Sequence, residues 1–462
     1  MKKYDVIIIG GGTAGIFSAY ELHKSAPWLK VALLEQGNIL ERRICPIISG
    51  KADRCVNCNH CSIMNGFGGA GAFSDGKFNF TTEFGGWLKD YLPADTVMDL
   101  IEYVDSVNVS FGATTERFST GSPAALELEK EALKYDLHLL KAQVKHLGTE
   151  RNLEILGNIC ADLSKYTDLM CNTTVCSISR NESGDFILET EEAGEFLCNY
   201  LICAPGRSGA EWFAAQCKKL DIHLINNQVD LGVRVELPAQ IFERITDTVY
   251  EAKLVYRTKQ YGDDVRTFCM NPYGHVVTEN VDGCITVNGH SYSDKSLRSE
   301  NTNFALLVSN RFTEPFNEPY QYGKRIASLS NMLAGGVLVQ RFGDLVRGVR
   351  TNDHRLSKSF TKPTLQATPG DLSLVLPKRH LDNIVEMIYA LDKLAPGTAN
   401  HDTLLYGVEV KFYSARLSLK EGFETEIPRM YACGDGAGIT RGLSQAAASG
   451  VYAARSVASK FN

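Results

Sequence analysis

The chain has 462 residues, enough for two or three domains with substantial cores, and its 44% hydrophobic and 22% charged content is that of a soluble globular protein. Lysine plus arginine minus aspartate plus glutamate is 48 − 54 = −6, which gives no basic balance for nucleic acid. The densest basic stretch, HRLSKSFTK (His354 to Lys362), reads as a solvated face, and no apolar run approaches the ~20 residues of a membrane span.

The amino-terminal segment YDVIIIGGGTAGIFSAYELHKS predicts a buried strand over Val6 to Ile9, a glycine turn and a helix. The basic residues before the apolar run resemble a secretory leader, but the run stops after four residues, short of the ~7–15 of a signal core. Gly10, Gly12 and Gly15 stand at GxGxxG spacing. Gly10 permits the tight turn, Gly12 lets the backbone approach a pyrophosphate, and Gly15 lets helix and strand pack closely. The helix start, with Thr13 and Ala14, presents unbonded N–H groups to phosphates. A second strand, KVALLEQG, ends at Glu35 and Gln36, with Glu35 placed to accept from adenosine ribose hydroxyls. An acid here argues against a ribose 2′-phosphate, so the expected ligand is FAD or NAD.

Cys55, Cys58 and Cys61 follow at CxxCxxC spacing, with Cys45 upstream as a fourth thiol. Such runs with a remote fourth cysteine bind iron–sulfur clusters, whereas structural zinc sites more often use two separated CxxC pairs, so zinc is the weaker expectation. Unmetallated packing thiols, or a disulfide-forming pair exchanging electrons with a flavin, are the competing readings. Thirteen cysteines, an odd number scattered through the chain, fit a reducing cytoplasm better than a secreted disulfide framework. Gly66, Gly68 and Gly71 also satisfy GxGxxG, but no strand precedes them and no helical pattern follows. They read as a loop lying flat on a bulky planar ligand.

Two helical stretches are expected over 94–147, the second from the Ser122-Pro123 start signal through to the end of that segment. The chain then returns to the first domain over 148–215. LMCNTTVCSISRN…GDFILETEE alternates like a hairpin around Val175, and NYLICAPGRSG gives a buried strand before Gly206. From 216 to 375 alternating strands predict an antiparallel sheet serving as a substrate domain. It carries the candidates for substrate contact or proton transfer: Cys269, Tyr273, His275 and His290. A helix around HLDNIVEMIYALDKL leads into the last segment, 376–462.

IPRMYACGDGAGITRGLSQAAASGVYAARSVASKF reads as a strand, a Gly434-Asp435-Gly436 turn and an alanine-rich helix. It resembles the second FAD signature of two-dinucleotide-type flavoproteins. That resemblance implies that Asp435 bonds the ribityl hydroxyls and that the helix starting at Gly442 and Leu443 points its N-terminus at the flavin pyrimidine ring, where a reduced flavin is negative. Val175 sits where such families touch adenine by backbone, and the strand before Gly206 resembles the one returning beneath FAD. GFGGAGAFSDGK, VRVELPAQ, TFCMNPYGHVV, VNGHSY, QRFGDLVRG and GVEVKFYSAR occur in the order found in a family of uncharacterised FAD-dependent dehydrogenases. That family is similar to the wider group with a glutathione-reductase-type FAD domain and an inserted substrate domain, as in the aromatic hydroxylases. The resemblance implies that Gly68, Gly69, Ala70 and Ser74 lie along the flavin. CMNPYG departs from the pattern, which more often has a second cysteine and glycine where this chain has Asn271 and Tyr273.

The expected architecture is therefore α/β. A discontinuous Rossmann-like FAD-binding domain (1–93, 148–215 and 376–462) is joined by a helical segment (94–147) to an inserted, mainly antiparallel α+β substrate domain (216–375). The expected activity is an FAD-dependent oxidoreductase acting on a small organic molecule, with NAD(P)H or a redox protein as electron donor and a possible relay through a cysteine-bound cluster. The alternatives are a monooxygenase and a thiol–flavin redox sensor.

Overall fold

The computed structural model describes every residue except 1, 47, 53–55, 57, 75, 250, 282, 293, 294, 313, 314, 317 and 462. The chain forms two compact units. The first is Met1–Arg117, Ala142–Asn227 and Tyr413–Asn462; the second is Phe118–Lys141 and Gln228–Phe412. Among the described residues no helix is long and apolar enough to cross a membrane.

The first unit is built on a sheet whose central strands run parallel in the order Asp168–Met170, Val31–Leu34, Lys2–Ile9, Gly194–Cys203, with Met430–Ala432 on the far side of Gly194–Cys203. Val6, Ile7, Ile8 and Ile9 are all buried, because helices cover both faces of a parallel sheet and remove the need for polar alternation. The amino-terminal half of Gly194–Cys203 pairs antiparallel with Phe186–Thr190, which pairs with Val175–Arg180 as the predicted hairpin. At the carboxyl edge, backbone bonds tie the strand ends together: Gly10 N to Leu34 O, Glu35 N to Met170 O, Ala204 N to Ile9 O and Cys433 N to Cys203 O, at 2.8–3.0 Å. Every loop carrying a predicted cofactor motif on these strands leaves from that edge.

The helix Thr13–Ser25 packs along the carboxy-terminal helix Leu443–Ala458, which is buried on nearly all sides and correspondingly apolar. The approach is close. A Cβ at Gly450 would stand 2.1 Å from the Ala14 carbonyl oxygen, and Ser18 Oγ donates to Ala14 O (2.9 Å) and lies 3.1 Å from Gly450 O.

The second unit is an eight-stranded sheet in the order Thr368–Pro369, Leu338–Arg341, Leu404–Lys411, Val229–Pro238, Asn301–Asn310, Asp264–Asn271, Leu254–Arg257, Leu137–Leu139. All its pairs are antiparallel except the first. Along Val229–Pro238, Leu231, Val233, Val235 and Leu237 enter an apolar core, while Asp230, Arg234 and Glu236 take the alternate positions.

Two expectations change. The helix predicted to run to 147 stops at Leu133, and Leu137–Leu139 instead pairs with Leu254–Arg257 while Gln143–His146 pairs with Lys77–Phe80. Asp136 at φ +60 breaks the helix, and beyond it apolar residues alternate at strand spacing. The domain boundary at 376 moves to 412, because Lys378–Leu394 buries Ile384, Met387, Ile388 and Leu391 in the second unit's core. The helix Pro123–Leu133 likewise belongs to the second unit, whereas Ala94–Ser110 packs in the first.

Gly450→Val is expected to lower folding stability by about 1–3 kcal/mol through overpacking, read as a lower urea midpoint at unchanged slope. Gly157→Ala, in the helix Thr149–Leu163 where a Cβ meets nothing within 4 Å, should hold or raise that midpoint.

Candidate functional site

A cleft opens at the carboxyl edge of the first unit's parallel sheet. The first glycine turn forms its floor. Gly10 (φ +103) abuts Ala204, whose carbonyl oxygen a Cβ would meet at 2.1 Å, and a Cβ on Gly15 would meet Gly10 O at 1.9 Å. Gly12 differs: its nearest neighbour to a Cβ is Gly69 Cα at 3.9 Å, so the backbone there faces open space. The second glycine loop crosses above, with Gly68 N donating to Gly11 O (2.8 Å) and Gly69 (φ +58) too close to Gly12 to carry a side chain.

Glu35 fastens these loops. Its carboxylate accepts from Gly11 N (2.7 Å), Gly37 N (2.8 Å) and Gly66 N (2.8 Å). A carboxylate has about four acceptor positions, so about one remains beyond these three amides, and Glu35 lines the cleft. Arg43 acts in parallel on the adjoining loop. Its guanidinium donates to Ser62 O (3.0 Å), Ile63 O (2.8 Å) and Phe67 O (2.7 Å), and burial pulls its pKa down to about 10 against the opposing pull of Glu35.

The carboxy-terminal motif closes the far side. Gly434 (φ +75) packs on Ala14, which a Cβ would meet at 2.9 Å. Asp435 accepts from Thr440 Oγ1 (2.7 Å) and lies 3.8 Å from Arg207 Nε. Burial holds its carboxyl above the usual range, with Arg207 pulling the other way. The residues flanking Gly86 pair with the stretch before the last helix, through Trp87 N to Ile439 O and Arg441 N to Gly85 O, both 2.9 Å. Neither Gly12 nor Gly442 caps its helix with a side chain, so the first-turn amides of both helices keep their donors for another partner.

The cleft is lined by Gly10, Gly12, Thr13, Ala14, Glu35, Gln36, Gly68, Gly69, Ala70, Ser74, Gly206, Gly434, Asp435, Gly442 and Leu443. Gly15 lies beneath it. Val175 lines an adjoining cleft with Ile9, Leu34, Thr173, Thr174 and Trp212; the two clefts share Gly10, Glu35, Gln36, Pro205 and Ser208. Arg207, Ser208, Asn65 and Met64 also line the larger cleft, and no dinucleotide motif marks them. The one available signal was their position beside glycines of the motif loops. Lys77 and Arg441 line it too, and Arg441 stacks on Tyr413 at 4.7 Å.

Cys45 and Cys61 are partly buried and Cys58 is exposed, all as free thiols, while Cys55 lies outside the described residues. Among the described residues no three His, Cys, Asp or Glu side chains gather as metal ligands. In the second unit, His275 and His290 are register partners across the hairpin His275–Val281/Cys284–His290, both rings packing edge-on against Tyr292. Tyr273 donates to Glu243 (2.7 Å), a bond that pushes its phenol pKa upward. Cys269 occupies the left-handed region (φ +48) at a β-bulge. Its carbonyl accepts from Arg234 Nη2 (2.6 Å), and the fully buried Arg234 pairs with Glu409 (3.3 Å) and donates to Asn303 (2.8 Å).

Residues 228–412 match the family model for "FAD-dependent protein, C-terminal domain-like". An uncharacterized protein of Clostridium beijerinckii is 24% identical over 483 residues, covering 99% of this chain and 81% of that one. Among solved structures, glycine oxidase from Geobacillus kaustophilus aligns at 12% identity and TM-score 0.37 over 99% of this chain and 93% of that one. The quinol fumarate reductase FrdA of E. coli aligns at 13% and 0.42 over 100% and 71%.

Asp435→Asn separates charge from shape. Because the folded state holds the Asp435 proton more tightly than the unfolded chain, the carboxylate costs stability above its folded pKa, and that cost disappears as pH falls. At pH 7 the ligand-free Asn variant should therefore unfold at the same or a higher temperature than wild type, with the difference shrinking as pH falls and vanishing below the unfolded carboxyl's pKa, by about pH 3. Thermal unfolding from pH 3 to 7 checks this.

Proposed function

We propose that this chain, whose residues 228–412 match the model for an FAD-dependent protein's C-terminal domain, is an FAD-dependent oxidoreductase that binds one FAD along the first unit's cleft and acts on a small organic substrate. The observation that carries the reading is the convergence of two helix N-termini without side-chain caps and the Asp435 carboxyl on one cleft. A dinucleotide flavin presents an anionic diphosphate, a polyhydroxyl chain and a ring whose pyrimidine edge becomes negative, and this donor set fits all three.

In this reading the open backbone at Gly12, Thr13 and Ala14 takes the diphosphate. Asp435 accepts from the ribityl hydroxyls, and the remaining lone pair of Glu35 serves the adenosine ribose. The backbone at Val175 and the apolar walls of the adjoining cleft, Ile9, Leu34 and Trp212, receive adenine. Gly68, Gly69, Ala70 and Ser74 lie along the flavin, and Leu443 opens the helix facing its pyrimidine edge. Bound there, flavin supplies hydride or single-electron transfer. The protein orients substrate and moves protons, a task for which His275 and His290 are the side-chain types suited near neutral pH. Cys269 would contact substrate, while Tyr273, committed to Glu243, serves as a positioning contact. NAD(P)H or a redox protein serves as donor.

The cysteine loop is part of the same proposal. Arg43 binds the carbonyls of Ser62 and Ile63, just after Cys61, and of Phe67, just before the flavin loop, so it joins one loop to the other. Cys45, Cys55, Cys58 and Cys61 are proposed as the ligands that would hold an iron–sulfur cluster, which would supply a one-electron relay toward the flavin. Anaerobic purification followed by iron, zinc and acid-labile sulfide analysis should find iron and sulfide in equal amounts; a flavin spectrum with neither metal nor sulfide removes the relay and leaves the FAD site standing.

Gly12→Ala tests the FAD site itself. The backbone there is extended and ordinary (φ −77), and a methyl group meets no neighbour closer than 3.9 Å, so the apoprotein should unfold at the wild-type temperature. FAD affinity should fall at least about tenfold, or ~1.4 kcal/mol, in a fluorescence-quenching titration. Unchanged affinity would place the diphosphate elsewhere.

A further inference from the structure

Strand Gly194–Cys203 ends in Ala204-Pro205-Gly206-Arg207-Ser208, and only the glycine of that turn belongs to a recognisable cofactor pattern. The turn occupies a particular place. Ala204 N donates to Ile9 O, Ala204 O abuts Gly10, and Pro205 and Ser208 line both clefts, so the segment lies where the two join. Arg207 lines the larger cleft with its side chain 41% exposed, leaving the guanidinium room to turn.

We propose that Arg207 recognises the diphosphate of the cofactor and so sets a preference for a flavin dinucleotide over flavins without a diphosphate. The inference rests on the FAD reading above and adds to it a specificity residue.

Three contacts locate the guanidinium. Its Nε stands 3.8 Å from Asp435 Oδ2, Asp435 follows Gly434, and Gly434 packs directly on Ala14 in the first turn of the helix Thr13–Ser25. Arg207 therefore shares, through Asp435 and Gly434, the cleft that the uncapped amides of Thr13 and Ala14 also line. The 3.8 Å separation is an ion pair longer than a hydrogen bond, so Asp435 keeps the guanidinium near the cleft without engaging its N–H fork. A planar fork of donors is the group that binds phosphate oxygens in pairs, and it complements the two helix termini, each contributing about half a positive charge. Arg441 is placed differently: its backbone is bonded to Gly85, its side chain is stacked on Tyr413, and it immediately precedes the carboxy-terminal helix. That position belongs to the flavin end.

The role is separable from the pairing with Asp435. Apoprotein would be titrated with FAD and with riboflavin, following flavin fluorescence, and ADP and adenosine would be compared as competitors of FAD. Arg207→Met should weaken FAD and ADP by about 10–100-fold while leaving riboflavin and adenosine within about twofold of wild type. Arg207→Lys, which restores the charge without the fork, should recover part of the loss. In an Asp435→Asn background, Arg207→Met should still weaken FAD and ADP selectively over riboflavin and adenosine, though the ion-paired neighbours are free to couple. Equal weakening of FAD and riboflavin, no weakening of FAD, or disappearance of the loss in the Asp435→Asn background would each overturn the assignment. A wild-type protein that fails to bind FAD at all would instead defeat the function proposed above.

Discussion

The contact between Ala14 and Gly450 is the constraint on which the first unit depends. These residues lie over four hundred positions apart, yet the helices that carry them approach closely enough that no side chain fits at Gly450. Both helices begin at one cleft, lined by Thr13, Ala14, Gly442 and Leu443, and their uncapped first-turn amides give it a positive lining. Small residues along Leu443–Ala458, including Ala446, Ala447, Ala453 and Ala454, are what permit the approach. An alanine-rich sequence alone would specify only a good helix.

Around that axis the loops are held by charged groups buried among backbone partners. Glu35 draws three amides to one carboxylate, and Arg43 draws three carbonyls to one guanidinium. Each satisfies donors or acceptors of loops that have no sheet or helix to satisfy them. The result is a glycine loop fixed in place with Gly68 and Gly69 lining the cleft. In the second unit the Arg234–Glu409 pair has the same character. It stabilises a left-handed, non-glycine Cys269 that the bare backbone would disfavour.

Much of the first unit was legible because its signals are local. The run Val6 to Ile9, the glycines at 10, 12 and 15 and the acid at 35 occupy one continuous stretch, and each step follows from covalent spacing. The strand, turn and helix around Asp435 are legible for the same reason. Residues 134–147 misled because apolar spacing after Leu133 suits a helix until Asp136 breaks it, and the gain from pairing with Leu254–Arg257 lies more than a hundred residues away. The helix Lys378–Leu394 was visible as a helix, but which core it enters depends on the strands beneath its apolar face.

Sequence by itself determined the elements and the residue types at their ends: a glycine turn, an acid and thiols at regular spacing. Tertiary structure alone decided that the two ends of the chain share one cleft, that Glu35 is largely spent on backbone amides, and that Arg207 stands beside Asp435. The division has a physical cause. Periodicity and turn chemistry act over a few residues of covalent chain, whereas helix approach and the capture of loop amides by a buried charge are settled by packing between segments whose separation in sequence carries no information about their distance in space.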